Sequence, residues 1–191
     1  MATLAVVHAG LGSPSSTQLL ATRLTEATRR RLPDVEVRTV PLRDVARDIA
    51  DNLVTGFPGA RLRAAVDDVV GADAVIAVTP TFNASYSGLF KSFVDVLDPD
   101  SLAGKPVLIG ATGGTERHSL VLDHAMRPLF AYLRAVVVPT GVYAASSDWG
   151  AAGLPARIDR AAGELADLVT GRVGPRPAER FVPFDQLLAG R

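Results

Sequence analysis

The chain has 191 residues, of which 48% are hydrophobic and 21% are charged, enough for one α/β domain with a substantial core and too few for two. Lys plus Arg and Asp plus Glu both total 20, so the net charge is zero and we expect no nucleic-acid partner. The absence of cysteine excludes disulfides, thiolate metal sites and a catalytic thiol.

The first predicted strand covers residues 2–8. Its apolar run is short and lacks a basic lead-in, which is typical of a buried strand and not of a signal peptide. No apolar run in the chain approaches the ~20 residues that cross a bilayer. We therefore expect a soluble, cytoplasmic protein with no membrane partner.

A loop of small and hydroxylated residues follows this strand and precedes an amphipathic helix over residues 18–32. Such a loop can bind a phosphate, because glycines let the backbone approach closely, hydroxyls donate hydrogen bonds and a helix N-terminus presents free N–H groups. The candidate phosphate ligands are Ser13, Ser15, Ser16 and Thr17. A serine-rich turn that only caps the helix explains the pattern equally well. The loop matches neither GxxxxGKS/T nor GxGxxG and has no lysine, which favours a monophosphate over a triphosphate with magnesium.

The middle of the chain leads into an apolar run that predicts the central strand. The preceding elements are a strand at 35–40, a short helix at 42–49, a loop at 51–59 and a helix at 60–70. Residues 74–78 are apolar without interruption, as in a parallel strand covered by helices on both faces. In open sheets of this kind ligands bind beyond the carboxyl ends of the strands. The turn that follows, residues 79–87, therefore offers Pro80, Thr81, Phe82 and Asn83 as ligand contacts.

A second glycine-containing loop follows the next predicted strand, residues 105–111. Two successive glycines allow backbone amides to face a ligand closely, whereas a purely structural turn would need one. The candidates here are Thr112, Gly113 and Gly114. His118 either contacts a ligand or caps the helix predicted at 119–133. A fifth strand at 135–140 and a last helix at 155–170 complete the pattern.

Five strands that alternate with helices predict an α/β fold with a doubly wound parallel sheet in the order 2-1-3-4-5. The small-residue loops follow strands 1, 3 and 4, which are adjacent in this order, so we expect them to form one site. Residues 1–171 make up the predicted domain. Residues 172–191 are predicted to be an extension that packs on the body or on a neighbouring subunit.

Three motifs, each after a predicted strand, resemble those of the NADPH-dependent FMN reductase family, and they occur in the same order along the chain. The run from Thr79 to Lys91, TPTFNASYSGLFK, resembles the family signature P-x-Y/F-N-x-S-x-x-G-x-L/F-K. The loop TGGT with His118 resembles its TGGS-x-x-H loop, and GSPSST at 12–17 resembles its GSPS-type phosphate loop. The similarity is greatest to the actinobacterial flavin reductases that accompany flavin-dependent monooxygenases, although Tyr86-Ser87-Gly88 is similar to the sulfonate-associated flavin reductases.

The resemblance implies a flavodoxin-like five-stranded sheet, FMN as cofactor and NADPH or NADH as hydride donor. It assigns the four hydroxyl residues of the first loop to the FMN phosphate, residues 80–83 to the isoalloxazine ring and ribityl chain, and residues 112–114 to the ring edge. Arg117 is a hypothetical partner of the coenzyme 2′-phosphate. The resemblance also implies a homodimer or homotetramer, and a partner monooxygenase that consumes reduced flavin.

Two other functions remain open at this stage. One is a quinone or azo reductase with tightly bound FMN, and the other is a flavodoxin-like electron carrier without a coenzyme site. Such carriers are usually acidic, whereas this chain is neutral.

Overall fold

The structure is a computed structural model, and it describes residues 1–171. The strands are β1 (Thr3–His8), β2 (Glu36–Pro41), β3 (Ala74–Phe82), β4 (Ser85–Tyr86), β5 (Pro106–Gly113), β6 (Val136–Val137) and β7 (Val142–Ala145). The helices are α1 (Ser16–Arg31), α2 (Ala46–Thr55), α3 (Ala60–Gly71), α4 (Gly88–Asp95), α5 (Arg127–Tyr132) and α6 (Gly153–Thr170). The predicted extension, residues 172–191, lies outside the described residues.

The sheet is parallel along the path β2-β1-β3-β5-β6. Alternate residues of β3 point to opposite faces, so Val75 and Ala77 pack in one apolar cluster while Ile76 and Val78 pack in the other. The first cluster lies under α2, α3, α4 and α5, and the second lies under α1 and α6. The unbroken apolar sequence of β3 is thus explained by burial on both faces, and the predicted α/β parallel sheet is confirmed.

The prediction of a single fifth strand at residues 135–140 is wrong. Two short strands, β6 and β7, pair in turn with the same neighbour, β5. Pro139 has no N–H to donate to the neighbouring strand. The Thr140 N–H donates a hydrogen bond of 2.7 Å to the Glu164 carboxylate of α6 and not to β5. Arg127 of α5 donates to the Val138 and Pro139 carbonyls at 3.1 and 3.0 Å. The sheet therefore resumes only at Val142.

The central strand is also longer than predicted. β3 continues to Phe82 and turns back as an antiparallel hairpin with β4, with Phe82 opposite Ser85. The two turn residues, Asn83 and Ala84, have φ angles of 48° and 65°. This left-handed pair is typical of a tight two-residue hairpin, but the sequence has no glycine there to indicate it.

Two helical regions differ from their predicted bounds. A 3-10 turn over Leu42–Val45 precedes α2, which continues to Thr55 and ends at Gly56 with φ 79°. The predicted loop at 51–59 is therefore confined to 56–59. The predicted helix at 119–133 is a π-helical turn, Leu122–Met126, followed by α5. Pro128 lacks the N–H that would continue regular α-helical bonding at this point.

Candidate active site

The loops after β1, β3 and β5 meet at one edge of the sheet, because these three strands are neighbours. The hydroxyls of Thr17, at the start of α1, and Thr112, at the end of β5, are hydrogen-bonded at 2.8 Å. Both side chains are buried. This contact joins the first loop to the third across the end of β3. It is expected where three neighbouring parallel strands end at the same edge of the sheet.

The loop after β1 ends in a helix cap. The Ser15 hydroxyl accepts a hydrogen bond from the Gln18 N–H at 3.2 Å and so caps α1. Gly10 lies directly against it, since a Cβ at this position would overlap Ser15 Oγ. Ser13 and Ser16 are exposed, and within residues 1–171 their hydroxyls have no hydrogen-bond partner. Of the four predicted phosphate ligands, these two have the freest hydroxyls.

The hairpin after β3 contains two threonines, Thr79 and Thr81, whose hydroxyls have different surroundings. Thr79 Oγ1 accepts from the Ser87 N–H at 3.0 Å and donates to the Pro80 carbonyl at 2.9 Å. Ser87 in turn caps α4 by accepting from the Phe90 N–H at 3.2 Å. Thr81 Oγ1 is buried and makes no hydrogen bond of normal length among the described residues, but it interacts with the Tyr143 phenol, whose pKa it lowers against the larger effect of burial.

The tip of this hairpin faces outward. Phe82 is 46% exposed, and Asn83 is also exposed. Pro80 is half-buried and pairs with Thr112 of β5. The four residues predicted to line the ring and ribityl chain thus extend from the sheet edge to the surface.

The glycine turn after β5 rests on Tyr143, which the sequence analysis missed. The Tyr143 hydroxyl donates to the Thr115 carbonyl at 2.9 Å. A Cβ on Gly113 would overlap that hydroxyl and lie 3.1 Å from Tyr143 Cζ, whereas a Cβ on Gly114 would meet nothing within 4 Å. Burial raises the pKa of the Tyr143 phenol. The apolar run at residues 142–145, after Pro139, is the pattern that could have indicated a strand carrying Tyr143, whereas the fifth strand is predicted at residues 135–140.

A short 3-10 turn, Glu116–His118, continues from the glycine turn. The Ser147 hydroxyl donates to the Glu116 carboxylate, and this bond lowers the pKa of Glu116. Arg117 is exposed and has no ion pair within residues 1–171. His118 is half-buried in the last position of the turn.

Three further aromatic and histidine side chains, Tyr86, Trp149 and His8, lie in packed surroundings. Tyr86 is half-buried with its ring 6.0 Å from that of Phe90. Trp149 lies under the Arg23 guanidinium of α1, 5.2 Å from the ring centroid. His8 is buried at the end of β1, and burial lowers its pKa.

This arrangement of three loops at a flavodoxin-type sheet edge agrees with a match to a known family. The family model for NADPH-dependent FMN reductase matches residues 2–150. The chain belongs to this family. The match covers β1 to β7 and therefore all three loops.

Individual relatives of this FMN reductase family member cover most of its length. An FMN reductase (NADPH) of Pseudomonas aeruginosa is 39% identical over 171 residues, which is 87% of this chain and 91% of that protein. The NADH-dependent FMN reductase SfnF of Pseudomonas putida is 38% identical over 73% of this chain and 75% of its own. An oxidoreductase structure from Corynebacterium diphtheriae is 45% identical, with a TM-score of 0.87 over 90% of this chain and 98% of that one.

The residues at this edge fit the flavin that the family implies. The 16-residue helix α1 points its N-terminus at the first loop, where an anion is favoured. The buried Thr81 hydroxyl, which makes no hydrogen bond of normal length among the described residues, and the open space at Gly114 are features that a bound ring would use. Residues 1–171 hold no cluster of three or more His, Cys, Asp or Glu side chains fit for a metal ion. The helices described are too short or too polar to cross a bilayer.

Proposed function

We propose that this FMN reductase works in the cytoplasm, uses NADPH or NADH to reduce FMN, and releases the reduced flavin to a partner monooxygenase. The observation that carries the proposal is the 2.8 Å hydrogen bond between Thr17 and Thr112, which brings the first and third loops together. β3 lies between them and supplies the hairpin. A site built in this way can bind the phosphate at one end and the ring at the other.

The phosphate end of the site is formed by the first loop and the N-terminus of α1. Ser13 and Ser16 would donate hydroxyl hydrogen bonds to the phosphate, with the helix N-terminus adding N–H groups and a partial positive charge. Ser15 would contribute mainly by capping α1, and Thr17 by its bond to Thr112. This division of roles follows from which hydroxyls already have protein partners.

The ring end of the site is formed by the hairpin and the glycine turn. Residues proposed to contact the ring and ribityl chain are Pro80, Thr81, Phe82, Asn83, Thr112, Gly113, Gly114 and His118. When bound, FMN supplies the chemistry by accepting a hydride at N5 from the nicotinamide C4. The backbone N–H groups of the glycine turn would stabilise negative charge at the ring edge as fixed dipoles. No protein acid or base is required for this transfer.

Release of reduced flavin is supported by the exposure of the site. The hairpin tip, the first loop and the glycine turn all include exposed residues. An open site is suited to exchange, whereas a quinone or azo reductase would retain its flavin. The exposed arginine of the third loop, Arg117, is the proposed partner of the NADPH 2′-phosphate.

We also propose that the protein forms a homodimer or homotetramer. Large apolar side chains that are strongly exposed include Val54 at 87% and Phe57 at 79%, three residues apart at the end of α2. Neighbouring exposed apolar side chains are typical of subunit contacts. Light scattering during gel filtration tests this, and a monomeric mass would contradict it.

Anaerobic stopped-flow absorbance with FMN and NADPH, followed by gel filtration of the reduced mixture, tests the enzymatic proposal. We expect rapid bleaching at the flavin absorbance maximum and elution of reduced FMN free of protein. Bleaching with flavin retained would instead indicate a quinone or azo reductase. FMN binding without bleaching by NADPH or NADH would indicate an electron carrier.

A further inference from the structure

We propose that Tyr143 is a positioning residue of the flavin site, whose hydroxyl holds residues 113–115 in the conformation that binds FMN. The inference rests on the proposed function for the identity of the ligand. Tyr143 is 6% exposed and lies on β7, below the turn that it supports. It acts through the backbone of the turn and is not placed in contact with the reacting atoms.

Two contacts link Tyr143 to the turn. Its hydroxyl donates to the Thr115 carbonyl at 2.9 Å. The same oxygen fills the space where a side chain on Gly113 would be, and Thr81 Cβ lies 3.7 Å from that position. The hydroxyl therefore contacts the turn at both ends of the three-residue segment and also interacts with the Thr81 side chain of the hairpin.

The strand that carries Tyr143 is itself anchored. The Asp148 carboxylate accepts from the Ala145 N–H at 2.8 Å and from the Arg157 guanidinium of α6 at 2.8 Å. Arg157 also donates to the Tyr143 carbonyl at 3.3 Å. β7 and the turn after it are thus fixed to α6, so the phenol is a rigid support for the glycine turn.

A second bond joins the same two segments next to the first. The Ser147 hydroxyl donates to the Glu116 carboxylate, one residue beyond Thr115. Ser147 is exposed, whereas Tyr143 is buried. Because solvent competes with the outer bond, the inner bond to Thr115 is expected to contribute more.

This arrangement affects binding through preorganisation. A turn already held in its bound conformation does not lose conformational freedom when the ligand arrives, and misplacement of backbone donors weakens a site strongly. Without the Tyr143 hydroxyl, the turn must be ordered at the expense of FMN binding.

Tyr143→Phe tests the inference, with Tyr132→Phe as the matched control because Tyr132 is exposed on α5. FMN affinity is measured by quenching of flavin fluorescence, and KM values for FMN and NAD(P)H by steady-state kinetics. We expect Tyr143→Phe to weaken FMN binding and raise the KM for FMN by about three- to tenfold, the effect of one lost hydrogen bond. The KM for NADH, which lacks the 2′-phosphate, should rise less than the KM for FMN, and the melting temperature should stay within about 3 °C of that of the unmodified protein.

Ser147→Ala should give a smaller effect in the same direction, and Tyr132→Phe none. Unchanged FMN affinity in Tyr143→Phe would overturn the inference while leaving the proposed function intact. A fall in melting temperature with an unchanged KM for FMN would do the same, since it would indicate a structural role alone. Failure of the unmodified protein to bind FMN would overturn the proposed function and this inference with it.

Discussion

The turn after β1 and the turn after β5 lie at the same edge of the sheet but are held differently. Residues 11–14 are exposed, and among the described residues none of their backbone groups has a hydrogen-bond partner. Residues 113–115 pair with β7 through Gly113 and Ala145, receive the Tyr143 hydroxyl and continue into a turn bonded to Ser147. One turn is positioned by the protein, and the other leaves its donors free.

This difference agrees with what each turn is proposed to bind. A phosphate brings several acceptors and full charge, so it can order a loop of free N–H and hydroxyl groups by itself. A ring edge offers few acceptors and has to meet donors that are already in place. Substitutions should therefore damage stability and binding together where the turn after β5 contacts Tyr143, and binding alone in the exposed part of the turn after β1.

The largest expected effect comes from Gly113→Ala, which breaks the supported turn. Its methyl group would overlap the Tyr143 hydroxyl and lie 3.1 Å from Cζ. We expect a loss of about 1–3 kcal/mol in the free energy of unfolding, as for other overpacked sites. FMN affinity should fall more than about tenfold, because the displaced phenol no longer holds the turn. Denaturant unfolding and flavin fluorescence measure the two effects.

Gly114→Ala is the matched control for stability, since a methyl there meets nothing within 4 Å. Its free energy of unfolding should stay within about 0.5 kcal/mol of the unmodified protein. The double variant Gly113→Ala with Tyr143→Phe should recover part of the lost stability, because the hydroxyl in conflict is gone. Equal stability of the two alanine variants would contradict the packing described here.

An intermediate effect is expected from Ser15→Ala in the other turn. It removes the cap of α1, in which Ser15 Oγ accepts from the Gln18 N–H, and should cost about 1 kcal/mol of unfolding free energy. Ser16→Ala removes an exposed hydroxyl without a protein partner, so its stability should change little. If Ser16 binds the phosphate, this second variant weakens FMN binding and leaves riboflavin binding unchanged. Equal losses for FMN and riboflavin would exclude a phosphate contact.

Topology was the part of the site that could be predicted, because strand identity depends on local patterns. The apolar run of β3 and the small-residue loops after three strands were sufficient to bring the loops to one edge. The fifth strand was misplaced because Pro139 stops the ladder and Glu164, 24 residues beyond Thr140, takes the N–H that the strand would have used. Such distant partners leave no local pattern.

Individual roles in the site were harder to predict than its position. Ser15 and Ser16 are equivalent in the sequence, yet one caps a helix and the other is exposed. Tyr143 supports Thr115 across 28 residues. The hairpin turn at Asn83 and Ala84 has left-handed backbone angles that alanine rarely adopts, so composition favoured an open loop. In each case the role depends on a contact or an angle that only the folded chain defines.

The smallest expected effect on stability, and the sharpest test of the comparison, comes from Thr81→Val in the hairpin between the two turns. Thr81 Oγ1 is buried, makes no hydrogen bond of normal length among the described residues and interacts with the Tyr143 phenol, so valine should change the free energy of unfolding by less than about 1 kcal/mol. Thr79→Val is the control, because Thr79 Oγ1 is bonded to the Ser87 N–H and the Pro80 carbonyl. That variant should lose about 1–3 kcal/mol by leaving a buried N–H unpaired.

A buried hydroxyl at the edge of the site that contributes little to stability can still donate a hydrogen bond to a ligand. Thr81→Val should therefore lower FMN affinity by about three- to tenfold, the effect of one hydrogen bond to the flavin. Thermal unfolding with and without FMN separates the two effects, since valine would then reduce the shift in melting temperature that FMN produces and not the melting temperature of the free protein. If FMN stabilises Thr81→Val as strongly as the unmodified protein, Thr81 is not a flavin ligand, and the free donors at this edge are confined to the turn after β1.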